Sequence, residues 1–145
     1  MQFITIGKPP EYLRLSAVRR RPDNLPEHLP REKRRYLDAE LRIHDLTATA
    51  RIDLMHEYAG LVQFFDQVVA HWPEWNNSFM VWGRSSALQF EVDRGPRPSG
   101  GPDHFRVTVK LHNSRRHTYW RVETLLILSP EELEAIARDL HRLTD

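Results

Sequence analysis

His112 and His117 flank the stretch Asn113-Ser114-Arg115-Arg116. A turn there would set the two imidazoles face to face across a hairpin, where they could hold a metal through two nitrogens. Two ligands fall short of the three or four that a protein metal site uses. None of the eight histidines stands in a His-Glu-x-x-His pattern, which would place two of them one helical turn apart. No metal and no cofactor is expected, and the pair reads as exposed hairpin histidines. Glu91 and Asp93 are spaced for one face of a strand, opposite Leu88, Phe90 and Val92. Such a pair could exchange protons with a substrate if it lined a cleft. A solvated outer face is the commoner use. Gly83-Arg84-Ser85-Ser86 lacks the Gly-x-Ser-x-Gly elbow that presents a serine nucleophile, and Gly100-Gly101 lacks the following helix of a phosphate-binding loop. Cysteine is absent altogether, which excludes disulfides, thiolate ligands and a cysteine nucleophile.

Residues suited to binding are easier to find than residues suited to catalysis. Arg19-Arg20-Arg21 and Arg31-Glu32-Lys33-Arg34-Arg35 form two basic runs, the second followed by Tyr36. Residues 1–36 hold nine Lys/Arg against four Asp/Glu, a net of +5, and residues 37–145 hold twelve against sixteen, a net of −4. A one-sided charge of this kind marks an interaction segment. It could neutralise phosphates, although only Tyr36 is available for base stacking. Arginine outnumbers lysine eighteen to three, which fits GC-rich codon usage as well as planar, bidentate contacts. Among the four tryptophans, Trp75 falls in a turn and is the one expected to be most exposed, either as an interface anchor or as a cap on the core. Candidate partner-binding residues are therefore Arg19, Arg20, Arg21, Arg34, Arg35, Tyr36 and Trp75, with Arg115 and Arg116 at the hairpin turn.

The elements that must position these residues follow from periodicity. Residues 2–6 read as a strand, as do 12–18, where Leu13, Leu15 and Ala17 share a face. Pro22, Pro26 and Pro30 forbid a regular element, so 19–38 reads as a loop or arm. Leu41 and Ile43 begin another strand, with a turn at His44-Asp45. Leu46, Ala48, Ala50, Ile52 and Leu54 then alternate with polar residues, as on a half-buried antiparallel strand. Tyr58, Leu61, Val62, Phe65, Val68, Val69 and Trp72 recur at helical spacing, and Pro73 ends that helix. Strands are expected over 79–82, 87–92, 104–111 and 119–127, with a turn at Asn113–Arg116. Ser129-Pro130-Glu131-Glu132 is a capping box with proline at the first helical position. It opens a helix whose apolar stripe is Leu133, Ile136, Ala137, Leu140 and Leu143.

A chain of 145 residues fits one domain, 1–145, able to bury roughly two-thirds of its unfolded surface. The start of the chain lacks the basic and apolar regions of a signal peptide, and no window approaches a membrane span. A cytoplasmic location and no membrane partner are therefore expected. The fold class expected is α+β: a twisted, mostly antiparallel sheet of six to eight strands with two amphipathic helices packed on one face. The loop or arm 19–38 would attach to a helix-on-sheet body spanning 39–145.

From Asp45 onward the spacing of Leu46-Thr47-Ala48-Thr49-Ala50-Arg51-Ile52, Trp72-x-x-Trp75, Trp82, Ala87–Asp93, His104–Leu111, Trp120 and the capped last helix resembles the DUF6228 family. These are small bacterial proteins grouped as a domain of unknown function. The layout is more distantly similar to immunity proteins that accompany wall-associated (WapI-type) polymorphic toxins. The first resemblance implies a fold and carries no active site. The second implies a partner protein, a toxin, occluded by contact. The expected function is thus a non-enzymatic protein-binding module of the immunity or antitoxin type. Nucleic-acid binding through the arginine-rich segment 19–35 is the alternative. A small enzyme or ligand-binding domain is a third. Homo-oligomerisation stays open at this level.

Overall fold

A computed structural model describes residues 3–17, 36–53, 58–75, 78–83, 87–95, 101–115 and 118–143; for Tyr36, Asp53, Tyr58, Ala59, Ser114, Arg115 and Thr118 it describes the backbone alone. Within these residues the chain forms eight strands and two helices. The order is β1 (Phe3–Lys8), β2 (Glu11–Ala17), β3 (Tyr36–Ile43), β4 (Leu46–Asp53), α1 (Tyr58–His71), a single 3-10 turn (Trp72–Glu74), β5 (Phe79–Trp82), β6 (Leu88–Arg94), β7 (Phe105–Arg115), β8 (Thr118–Leu128) and α2 (Pro130–Leu143).

The α+β class and the antiparallel pairing hold, but one continuous sheet does not. The strands form two sheets of four, β1-β2-β3-β4 and β5-β6-β7-β8, each an antiparallel meander. Within each sheet neighbouring strands follow one another in the chain, as short connections favour. Between β4 and β5 stands α1, which carries the chain away from the first sheet before the second begins.

Both sheets bury one face into a single core. The first contributes Ile4, Ile6, Leu13, Leu15, Leu37, Ala39 and Leu41, and the second Leu88, Phe90, Val92, Phe105, Val107, Val109 and Leu126. The alternation of buried and open positions along β6 is the period-two pattern of a half-buried strand. Helix α1 lays Leu61, Phe64, Phe65 and Val68 into this core. Phe65 meets Phe90 edge-on at 5.3 Å, and Trp72 meets Phe105 at 5.2 Å, so α1 covers the inner face of the second sheet. Helix α2 packs against α1 and against β1. Each fully buried leucine or phenylalanine contributes on the order of 1.5–3 kcal/mol.

The expected capping box is formed: Glu132 N–H donates to Ser129 Oγ at 3.2 Å, and Ser129 N–H donates to Glu132 Oε1 at 3.2 Å. Two boundaries differ from expectation. Residues 36–38, read from the sequence as the end of an irregular stretch, form the start of β3. There Leu37 and Ala39 are buried opposite Ile52 and Ala50. Asn113, Ser114 and Arg115, assigned to a turn, prolong β7, because they pair with Trp120, Tyr119 and Thr118. The body expected over 39–145 also lacked two of its strands. β1 and β2 pair with β3 and belong to the same sheet.

Candidate protein-interaction surface

Inward and outward positions alternate along β8. Thr124, Leu126 and Leu128 face the core and are buried, and Trp120 and Val122 pack partly against it. The outward row is Tyr119, Arg121, Glu123, Leu125 and Ile127. Its three large apolar members are open to solvent: Tyr119 is 67%, Leu125 48% and Ile127 56% exposed. Along a strand this row spans about 27 Å. Beside it on β7, Arg106 stands opposite Ile127 and Thr108 opposite Leu125. The guanidinium of Arg106 donates to Asp93 Oδ1 of β6 at 2.7 Å, which draws it away from Ile127. That hydrogen bond, and then the carboxylate's charge, raise Arg106 above its ordinary value. Lys110 and Glu91 lie 3.9 Å apart on the same face. The middle of the outer face is therefore ion-paired, and its β8 margin carries exposed apolar side chains on either side of the Arg121–Glu123 pair.

At one end of the row lies a cleft of about 360 Å³ between β8 and the β1–β2 turn. Leu125, Leu126 and Ile127 form one side, Gly7, Lys8 and Pro10 the other, and the carboxylates of Glu11 and Glu132 also line it. The cleft depends on a close approach. Gly7 has φ +94°, and a Cβ there would sit 2.9 Å from the Glu11 carbonyl and 3.3 Å from the methyls of Leu126. Only glycine takes that conformation at little cost. The seam is fastened beside it, where Thr124 Oγ1 donates to Glu11 Oε2 at 3.2 Å and His44 Nε2 lies 3.3 Å from Glu11 Oε1. Thr124 and His44 both address the carboxylate and not each other. The trio ties the first sheet to the second.

The residues singled out from the sequence are dispersed. Arg19, Arg20, Arg21, Arg34 and Arg35 lie outside the described residues, as do Arg116 and His117. Tyr36 opens β3 and Arg115 closes β7. Trp75 is half-buried: its ring meets Phe105 edge-on at 6.3 Å, and its backbone N–H donates to the Trp72 carbonyl at 3.1 Å. It caps the core at the end of α1. Glu91 and Asp93 share the outer face of the second sheet, each beside a cation of β7. His112 lies near Tyr119, their ring centroids 6.5 Å apart. Among the described residues no three His, Cys, Asp or Glu side chains are placed to hold a metal. Among them, too, no helix is long and apolar enough to cross a membrane.

Tyr119, Leu125 and Ile127 were not among the expected binding residues. A signal for two of them was present. Leu125-Leu126-Ile127-Leu128 is apolar on both faces of a strand, and a strand with one buried face must then present leucine or isoleucine to water.

The DUF6228 family model, described as a family of unknown function, matches residues 7–145. The chain belongs to the DUF6228 family. The match takes in almost the whole fold, including the basic segment between β2 and β3, which the sequence pattern alone had set apart. No curated protein matches the chain. For a DUF6228 protein, then, the surface itself must supply the functional argument.

Proposed function

We propose that this DUF6228 protein is a binding module that acts on another protein by contact, and that the partner seats on the outward row of β8 and the cleft at its end. The carrying observation is the run of Tyr119, Leu125 and Ile127, all about half or more exposed on one strand face. Tyrosine and large aliphatic side chains are the anchors that protein interfaces bury at their centres. The ion-paired middle of the sheet would form the polar rim. On this reading the partner is a toxin, inactivated by occlusion. The segment 19–35, with seven Lys/Arg against three Asp/Glu, would steer an acidic partner toward this body.

Capture from the native host tests this reading. The wild-type chain should retain one protein at near-stoichiometric yield, and Leu125→Asp/Ile127→Asp should lose it while unfolding at the same temperature. Equal recovery by both forms would sink the β8 surface. Retention of nucleic acid alone, abolished by Arg19→Ala/Arg20→Ala/Arg21→Ala, would replace a protein partner with a polyanion.

A further inference from the structure

Terminal strands offer a row of unpaired backbone groups, and proteins guard them by keeping them short, by bulges, by lysine or proline, or by a covering element. Of the four marginal strands, β5 and β1 follow that rule, and the other two are β4, of eight residues, and β8, the longest of the four. β5, at one margin of the second sheet, has four residues. β1, at a margin of the first, lies against α2. β8 has eleven residues, an unbroken register from Leu128 to Thr118, and neither lysine nor proline. It is closed only where the β1–β2 turn meets Thr124 and Leu126. The stretch before that point has no covering element among the described residues.

We infer that β8 pairs antiparallel with β8 of a second copy of this chain, about a twofold axis through Val122, joining two four-stranded sheets into one of eight. The outward row selects both the occupant and the register. Pairing about Val122 sets Arg121 opposite Glu123 of the other copy, and Glu123 opposite its Arg121, so each charge meets its opposite and the contact occurs twice. A shift of the axis to Glu123 would put two glutamates face to face. A shift to Arg121 would oppose two arginines. A shift of the register by one residue would turn the apolar inner row out to solvent. Only the Val122 register brings the two charges together, and a surface that complements itself under a twofold axis is the requirement for a closed dimer.

In each copy Arg121 Nη2 lies 3.1 Å from Glu123 Oε2, with both side chains about half exposed. An exposed pair of that kind contributes little to the lone chain, so exchanging it across the axis costs little. The ladder is centred on the Arg121–Glu123 pairs, and its last pair sets Trp120 of one copy against Thr124 of the other, where the first sheet begins to close the edge. Beyond it, Tyr119 of one copy comes beside Leu125 of the other on the outer face. This pairing rests on the reading of β8 as the contact strand and deepens it. The outward rows of both copies become one continuous surface for the partner.

Charge exchange tests the pairing in the purified full chain, with mass read by light scattering over a range of concentrations. Wild type should approach the mass of two chains as concentration rises. Arg121→Glu and Glu123→Arg should each weaken association by roughly tenfold or more, because the axis repeats every like-charge contact. Mixing those two variants should restore a dimer made of one of each, and R121E/E123R in one chain should dimerise like wild type. The pair within a single strand cannot produce the mixed dimer. A wild type that stays monomeric, single variants that dimerise unchanged, or a mixture that stays monomeric would each overturn the inference. Circular dichroism of every variant guards against a folding defect. A monomer that still captures its host partner through Leu125 and Ile127 would refute self-pairing and leave the proposed function standing.

Discussion

The two sheets share strand number, topology and core, yet they treat their outer faces differently. On the first sheet, two arginines find partners across the strands. Arg51 donates twice to Asp38, at 2.9 and 3.3 Å, and Arg42 donates to the hydroxyl of Tyr12 at 3.4 Å. Among the described residues its two exposed large apolar side chains stand apart: Phe3 is covered by the guanidinium of Arg14, 4.9 Å from the ring centroid, and Leu46 lies alone where β4 begins. On the second sheet the ion pairs occupy the middle. Leu125 and Ile127 stand at the margin beside a cleft, and Phe79 stands exposed at the opposite margin. Two sheets that contribute alike to stability need not contribute alike to recognition. Apolar surface left without a neighbour on a small domain marks where a neighbour arrives.

The core that the two sheets share is open to direct test. Leu13→Ala in the first and Phe90→Ala in the second should each cost on the order of 2–5 kcal/mol. Both should lower the midpoint of one cooperative denaturant transition. Two separable transitions, each sensitive to one of the variants, would mean two folding units.

What could be read from the sequence follows the reach of each physical signal. Alternation such as Leu88, Phe90, Val92 names the buried face of a strand, and helical spacing named Leu61, Phe65 and Val68 of the buried stripe of α1 but not Phe64. Ser129 and Glu132 announced the start of α2 through local chemistry alone. None of these signals says which strand lies beside which. The split into two sheets depends on α1 intervening between β4 and β5, a choice made in packing. The candidate site was harder still. The reading favoured charge, in Arg19–Arg21 and Arg34–Arg35, and an aromatic in a turn, Trp75. The structure buries half of Trp75 against Phe105 and exposes aliphatic residues of a strand. Whether Leu125 or Leu126 faces water is fixed by register with β7, and register is not a property of β8 by itself.

The seam between the sheets gives the next effect. Gly7→Ala should cost about 1–3 kcal/mol, from a strained backbone and a crowded contact with Leu126. Thr124→Val, which keeps the shape and removes the donor to Glu11, should cost about 1 kcal/mol. Equilibrium unfolding measures both. If Gly7→Ala were as stable as wild type, the close approach of the β1–β2 turn to β8 would be wrong, and the cleft with it. Away from the seam, Ser129→Ala removes the cap of α2 and should cost roughly 0.5–2 kcal/mol.

The smallest effects bear most directly on the contrast between the outer faces. Phe3→Leu keeps an apolar side chain but removes the ring under Arg14, and should cost about 0.5–1 kcal/mol. Ile127→Ser removes a side chain that contacts solvent over more than half its surface and should change stability by no more than about 0.5 kcal/mol. A cost at Ile127 equal to that at Phe3, measured by denaturant unfolding of the purified chain at low concentration, would mean that the β8 row is held within the lone molecule. It would then have no surplus surface to offer. The expected inequality instead assigns Phe3 to the stability of its own sheet and leaves Ile127 for a partner.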